Sequence, residues 1–433
     1  MKRATRLLAA FAVLALVAAA CASKDDAGKP AADTCATDKF GCVTYKAGEP
    51  IKVGELLSIS GNTAFLGKDT QTGVLIAIDY LDGKIDGVPG KLLDRAISVV
   101  AEDDLCSKAG GQSGGTKLAA DPTIVGVIGT TCSSSALGVA DKILSDKGIL
   151  LISSSNTNPN LTAQGTHQPF YFRTAHNDKI QGAVVSDFTT KNLKAKTAAT
   201  IHDESPYADA LAAVFRTNFE KAGGKITANE AINSADKDFK PLLTTIGQGK
   251  PDVLYFPNFN PACALIAKQA KGIAGLEKTS LIGSDGCLDP TYLQVGGAAV
   301  NGSYASGPDF AALKSGDFYA NQFLPEYKKR AGTDPTAAFH AHAYDAANAL
   351  FDAIKKTAVK DGDTIKIART ALKDALVAVS GVKGLSGEIT CTALGDCATA
   401  VKIGVYKVPD WPVEGGTKGA EAVLSETKTL AEV

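Results

Sequence analysis

Several things are missing from this 433-residue chain, and each absence narrows its function. Lysine and arginine do not outnumber the acids: the formal net charge is −1. Nothing therefore draws the chain electrostatically onto nucleic acid or an anionic membrane surface. After residue 20 no apolar run is long enough to cross a bilayer as a helix. No CxxC pair occurs and the five histidines form no ligand cluster, so neither a metal site nor a cofactor is expected. No G-x-S-x-G elbow is present to expose a nucleophilic serine. His340 and His342 stand two apart on an expected helix and point to different faces, while His202 ends a strand and either touches a ligand or caps a loop.

What is present begins with Lys2, Arg3 and Arg6 ahead of the apolar run from Leu7 to Ala20, which Cys21 follows at once. The run is too short to span a bilayer and reads as a signal peptide over residues 1–20. Val17 to Cys21 resembles a bacterial lipobox, with Ala18 where leucine is usual, which implies cleavage before Cys21 and acylation of its thiol. A plain secretory signal is the alternative. Two or three acyl chains would hold the chain stably at the membrane where one would not. The chain is thus expected outside the cytoplasm, with residues 21–50, rich in Ala, Lys, Asp, Gly and Pro, as a flexible lipidated tether.

Setting Cys21 aside from nine cysteines leaves eight, an even number that suits disulfides in an exported protein. Cys35 and Cys42 are close in sequence, as are Cys391 and Cys397. Cys106 and Cys132 follow adjacent expected strands, and so do Cys263 and Cys287. Those four pairs are the expected bridges.

With 45% hydrophobic and 21% charged residues the chain has enough apolar content for two full cores. From Ile51 onward, short apolar runs alternate with segments of helical spacing: Ile51 to Ser58, Thr70 to Leu81, Ile97 to Ala101, Ile124 to Gly129, Ser135 to Lys147 and Ile149 to Ser153. The alternation restarts after Phe170 to Thr174 and runs on through Thr197 to His202, Tyr207 to Ala222, Val253 to Phe256 and Ser280 to Gly283. It predicts an α/β fold of two lobes with parallel sheets. Helices are expected over 337–357 and 365–379, strands over 386–390 and 402–408, and only a loosely held tail from 414, with a possible helix near 420–424. In such βαβ units the turns after the strands emerge at one sheet edge, so Thr130 to Ser135 should lie beside Ser153 to Asn158. Both turns are dense in hydroxyls and amides. The first opens a helix, where N–H groups and serines 133–135 would favour an anion, or where the serines would simply cap the helix.

The motifs VVAEDDLCSKAGG, VIGTTCSSSALG, LLISSSNTNPNLT, FRTAHNDKIQGA, IHDESPYADAL and LIGSDGCLDPTYL, taken in order, resemble the branched-chain amino-acid-binding proteins of ABC importers, from about Ile51 to Val408. The resemblance implies a type I periplasmic binding protein fold: two Rossmann-like lobes joined by a three-stranded hinge that closes on ligand. Lobe 1 would comprise residues 51–174 and 307–398, lobe 2 residues 175–306 and 399–413, with 414–433 as the tail. It puts the ligand carboxylate against Ser133, Ser155, Asn156 and Thr157, the ammonium against Asp285, and Tyr207, Phe259 and Leu66 around the rest. Ser155 and Asn156 replace alanines common in aliphatic-amino-acid binders, and Leu66 replaces an aromatic. Read without the resemblance, Tyr207 is a loop aromatic, Phe259 core packing and Asp285 a turn former. The implied partners are a small zwitterion, ABC permease subunits and the membrane through the lipid, but no nucleic acid. A tethered ligand sensor would use the same fold, and an exported hydrolase is the remaining alternative.

Overall fold

A computed structural model of the chain describes residues 34–309, 313, 316–408 and 423–433. The signal peptide, Cys21, the first part of the expected tether and the start of the expected tail lie outside the described residues. In chain order the strands are β1 (Cys42–Tyr45), β2 (Ile51–Leu57), β3 (Lys91–Leu92), β4 (Arg95–Asp103), β5 (Ile124–Gly129), β6 (Leu150–Ser153) and β7 (Tyr171–Arg173). Then come β8 (Thr197–His202), β9 (Lys225–Ala231), β10 (Val253–Tyr255), β11 (Ser280–Gly283), β12 (Tyr304–Pro308), β13 (Val359–Asp361), β14 (Thr364–Ala368), β15 (Val382–Lys383), β16 (Glu388–Ile389), β17 (Ala400–Lys407) and β18 (Leu424–Thr429).

Two large sheets carry the lobes. The first has the order β3-β4-β2-β5-β6-β7, parallel except for the β3–β4 hairpin. β5 and β6 are buried along their whole length, which is why their sequences are continuous apolar runs rather than alternations. The second sheet has the order β18-β17-β12-β11-β10-β8-β9; β8 to β12 are parallel, and β17 and β18 add on antiparallel. The chain passes between the sheets three times: after Arg173, after Pro308 and before Ala400.

Arg173 fastens this junction. Its Nε donates to Asp396 Oδ1 at 2.6 Å, and its other nitrogens donate to the carbonyls of Asn156 (3.2 Å) and Asn158 (2.9 Å) and to Thr162 Oγ1 (2.6 Å). The guanidinium is wholly buried, so its stability rests on every one of those acceptors; removing one partner of such a pair costs about 3–5 kcal/mol. The four expected disulfides are all formed. Cys106–Cys132 and Cys263–Cys287 close loops with separations of 26 and 24 residues, each of which stabilises by about 3.5 kcal/mol on chain-entropy grounds.

Four local expectations fail, each for a visible reason. Residues 34–50 are not free tether: β1 pairs antiparallel with β14, and Val43 and Tyr45 are buried, with the Tyr45 hydroxyl donating to Thr123 O at 2.7 Å. The segment from 365 is not helical at first, because Ile365 and Ile367 alternate inward on β14 and the helix begins only at Arg369. The helix expected over 135–147 is a single turn, Ser133–Ser135, broken at Leu137 and Gly138 and resumed at Asp141–Ser145. Gly138 has φ +67°, a left-handed conformation that glycine adopts without Cβ strain. The tail is not loose over its last part: β18 pairs along β17, and Lys428 bridges Asp187 at 2.9 Å and Glu426 at 2.8 Å.

Candidate functional site

The two polar turns of the first lobe lie side by side and are knitted together by their own side chains. Ser153 Oγ and Asn156 Nδ2 both donate to Thr130 O, at 2.8 and 2.9 Å, and Thr130 Oγ1 donates to Asn156 Oδ1 at 3.0 Å. Ser155 Oγ donates to Thr131 O at 2.8 Å. The Asn158 N–H donates to Ser133 Oγ at 3.3 Å. The first turn is tied in the other direction as well. Asp104, fully buried, accepts from Thr131 N and Cys106 N, both at 2.7 Å, and Cys106 is bridged to Cys132. Burial pushes the Asp104 carboxyl up to about 7 against those two donors. Ser134 and Ser135 donate back to the 104–106 loop, so of the three serines only Ser133 lines the cleft.

The facing wall comes from the second lobe. Tyr207 sits in the first turn of the Pro206–Lys221 helix, which Ser205 caps by accepting from Ala208 N. Its hydroxyl donates to Asp285 Oδ1 at 2.7 Å and meets Ser284 Oγ at 2.7 Å. Burial, and after it the charge of Asp285, holds that hydroxyl well above the ordinary phenol range, so it stays a donor. Gln181 Nε2 donates to the same Asp285 oxygen at 2.9 Å and to Ser306 Oγ at 3.0 Å, while its amide oxygen meets His176 Nε2. Burial lowers the His176 imidazole, consistent with a neutral ring donating to Gln181. The Asp285 turn also rests on Gly286, whose α-carbon lies so close to Asn258 O that an added Cβ would stand 2.4 Å away.

Between these walls is a small cavity lined by Leu66, Thr131, Cys132, Ser133, Ser155, Tyr207, Phe259, Asp285 and Phe339. Its volume is about 10 Å³, room for about one water. Six residues marked in the sequence meet here: Leu66, Ser133, Ser155, Tyr207, Phe259 and Asp285. The rings of Tyr207 and Phe259 are 5.2 Å apart. Asn156 and Thr157 lie behind Ser155, fully buried. The Asn156 amide is occupied by Thr130 and Tyr171, whereas Thr157 Oγ1 has no partner.

Three lining residues escaped the sequence reading. Thr131 is held on three sides, by Asp104, by Ser155 and by Ser58 N donating to its hydroxyl at 2.9 Å. Cys132 was marked only as a disulfide partner. Phe339 precedes the His340–Thr357 helix instead of lying inside it, and its N–H donates to Asp69 Oδ2 at 3.0 Å, 270 residues away, so no local pattern betrays it. Among the described residues, no group of three or more His, Cys, Asp or Glu could hold a metal ion.

Residues 50–401 match the periplasmic binding protein family. The leucine-, isoleucine-, valine-, threonine- and alanine-binding protein of Pseudomonas aeruginosa is 30% identical over 325 residues, covering 75% of this chain and 83% of that one. The Leu/Ile/Val-binding protein of Escherichia coli K12 is 27% identical, covering 86% and 94%. Among solved structures, a branched-chain amino acid transporter substrate-binding protein of Streptococcus pneumoniae in complex with isoleucine superposes with a TM-score of 0.71 at 25% identity, covering 88% of this chain and 99% of that one. A solute-binding protein of R. palustris in complex with benzoate shares the fold, with a TM-score of 0.69 at 22% identity over 86% and 98% of the two chains.

Proposed function

This chain belongs to the periplasmic binding protein family, and from that premise we propose that it captures an amino acid or similar small zwitterion between its lobes and closes on it by hinge motion. It is a solute-binding component and not an enzyme. The observation that carries the ligand class is the opposed polarity of the cavity. Asp285, with two donors already on one oxygen, faces a turn whose accessible groups are the hydroxyl-bearing residues Thr131, Ser133 and Ser155. A ligand with a cation at one end and a carboxylate at the other satisfies both walls at once. Its contacts with both lobes exist only in the closed form, and that difference drives closure.

A second reading has support in the walls: Phe259, Phe339 and Tyr207 would flank a planar ring, and a neighbour of this fold holds benzoate. An aromatic acid without a cationic nitrogen would leave Asp285 facing no positive charge, which is why we favour the zwitterion. A thermal-shift screen of the soluble chain from Ala22 against L-isoleucine, L-leucine, L-alanine, L-threonine and benzoate separates the two. A ligand present at a hundred times its dissociation constant stabilises by about 2.7 kcal/mol. Stabilisation by benzoate and by none of the amino acids would refute the zwitterion reading.

The wider setting is part of the same proposal. Acylated Cys21 anchors the protein outside the cytoplasm, and the closed form delivers its ligand to ABC permease subunits. Residues 51–174 and 307–398 form one lobe and 175–306 with 399–413 the other, to which we add β18. A tethered sensor would share every feature of the cleft; growth on the ligand as sole nitrogen source, lost on deletion of the gene, favours import.

A further inference from the structure

Behind the cavity lies an acid that the ligand contacts leave unused. Asp178 opens the Asp178–Asp187 helix directly after the first crossing between the lobes, and its side chain is wholly buried. Neither of its carboxylate oxygens has a hydrogen-bond partner. Its N–H donates to Thr157 O at 2.9 Å, which sets it against the first lobe's second turn and brings the Thr157 hydroxyl up to its carboxylate. From the second lobe the charge of Asp285 and the phenols of Tyr207 and Tyr255 act on it. Arg173 is the cation that acts on it among the described residues, and its nitrogens are taken by Asp396, Asn156, Asn158 and Thr162.

An ionised carboxylate in that position would be buried, with the Thr157 hydroxyl as the only donor beside it among the described residues, and opposite another acid. A neutral carboxyl instead avoids the charge and supplies a donor from which the Thr157 hydroxyl can accept. Resting on the closure reading above, we propose that Asp178 is a proton-binding site at the lobe junction: closing the cleft on ligand takes up one proton there, and opening releases it. The physical cause is desolvation first and repulsion from Asp285 second, which together hold this carboxyl well above the ordinary carboxylate range. Opening withdraws the Thr157 turn, and water then stabilises the charged form.

The sign follows from linkage. A closed state that binds one more proton than the open state loses affinity as pH rises, by up to tenfold per pH unit once the open-state carboxyl is ionised. Calorimetry of L-isoleucine binding in buffers of different ionisation enthalpy, at about neutral pH, counts the protons. The expected result is uptake approaching one proton in the wild type and none in Asp178→Asn, which still binds and whose affinity does not vary with pH. Equal proton numbers in the two proteins overturn the proposal. If the screen shows that no amino acid binds, the zwitterion reading has failed and the proton site is tested alone. Infrared spectra of the protein at neutral pH, with isotope-labelled aspartate, should then show a protonated carboxyl band in the wild type that Asp178→Asn lacks, and its absence from the wild type overturns the proposal. Because burial also lifts Asp104 to about 7, the band is assigned by difference, and Asp178→Ser replaces Asp178→Asn if the latter does not fold; a band unchanged in the variant overturns the proposal.

Discussion

Replacing Asp285 with asparagine tests the polarity of the cleft most directly. The change keeps the shape of the side chain and leaves an oxygen to accept from Tyr207 and Gln181, whose bonds to Asp285 Oδ1 are 2.7 and 2.9 Å. It removes only the charge. Asp285 is 5% exposed, so a pair that it would form with a ligand ammonium would be poorly screened by water or salt. Truncating one partner of a buried charge pair costs about 2–5 kcal/mol, which at about 1.4 kcal/mol per decade means a loss of affinity between about thirtyfold and a few thousandfold. Isothermal titration calorimetry with L-isoleucine, or with whichever amino acid stabilises the wild type most, gives the ratio. Tyr207→Phe is the companion: it removes one donor from Asp285 without touching the charge and should cost about 1–2 kcal/mol. Equal affinity in wild type and Asp285→Asn, or a best ligand with no cationic nitrogen, would show that Asp285 merely holds its turn and that the zwitterion argument is mistaken.

Arg173→Met should destabilise by about 3–5 kcal/mol in urea unfolding, because it strands buried Asp396, whereas Arg173→Met combined with Asp396→Leu should recover part of the loss. Stability should fall as pH rises from about 4 to about 8, since burial lifts Asp104 and Glu55 to about 7 and Asp141 and Asp345 to about 6. The folded state therefore holds protons that the unfolded chain has released, and Glu55→Gln should flatten the fall in melting temperature across that window. Cys21→Ala should release the protein from membranes into the soluble fraction; retention after a salt wash would refute the lipid anchor.

Much of this arrangement is legible in the sequence because parallel sheets buried on both faces write themselves as short apolar runs. β5, β6 and β10 stand out that way, and the polar turns after β5 and β6 are then fixed at one edge without reference to any contact. Ser133 follows from that edge, whereas Ser155 within its turn is singled out by the family resemblance. What stayed hidden depends on partners far away in the chain. Phe339 is placed by a carboxylate 270 residues earlier, and within its own segment, AAFHAH, it looks like one more helical residue. Asp178 and Gln181 sit in a motif that carries the family likeness, but their burial behind Asp285 comes from partners about a hundred residues away, such as the Gln181–Asp285 hydrogen bond. β1 and β14 each show only two inward residues, too few for an alternation to be told from chance, and β18 is an exposed polar edge whose spacing carries no apolar signal.

The threading of the second sheet bears on the order in which the chain can fold. β8 to β12 are contiguous in sequence, but β17, which pairs with β12 over five residues, arrives only after the intervening segment has gone back to the first sheet and built the His340–Thr357 helix against β5 and β6. The second lobe cannot be completed before the first has been supplied with its returning helices. Until β17 docks, β12 presents an unpaired edge that is open to pairing with another chain. For a polypeptide expected to cross a membrane from its N-terminus, that interval comes late in translocation, after most of both cores has emerged, and it is the stage at which misassembly and the need for folding assistance should concentrate.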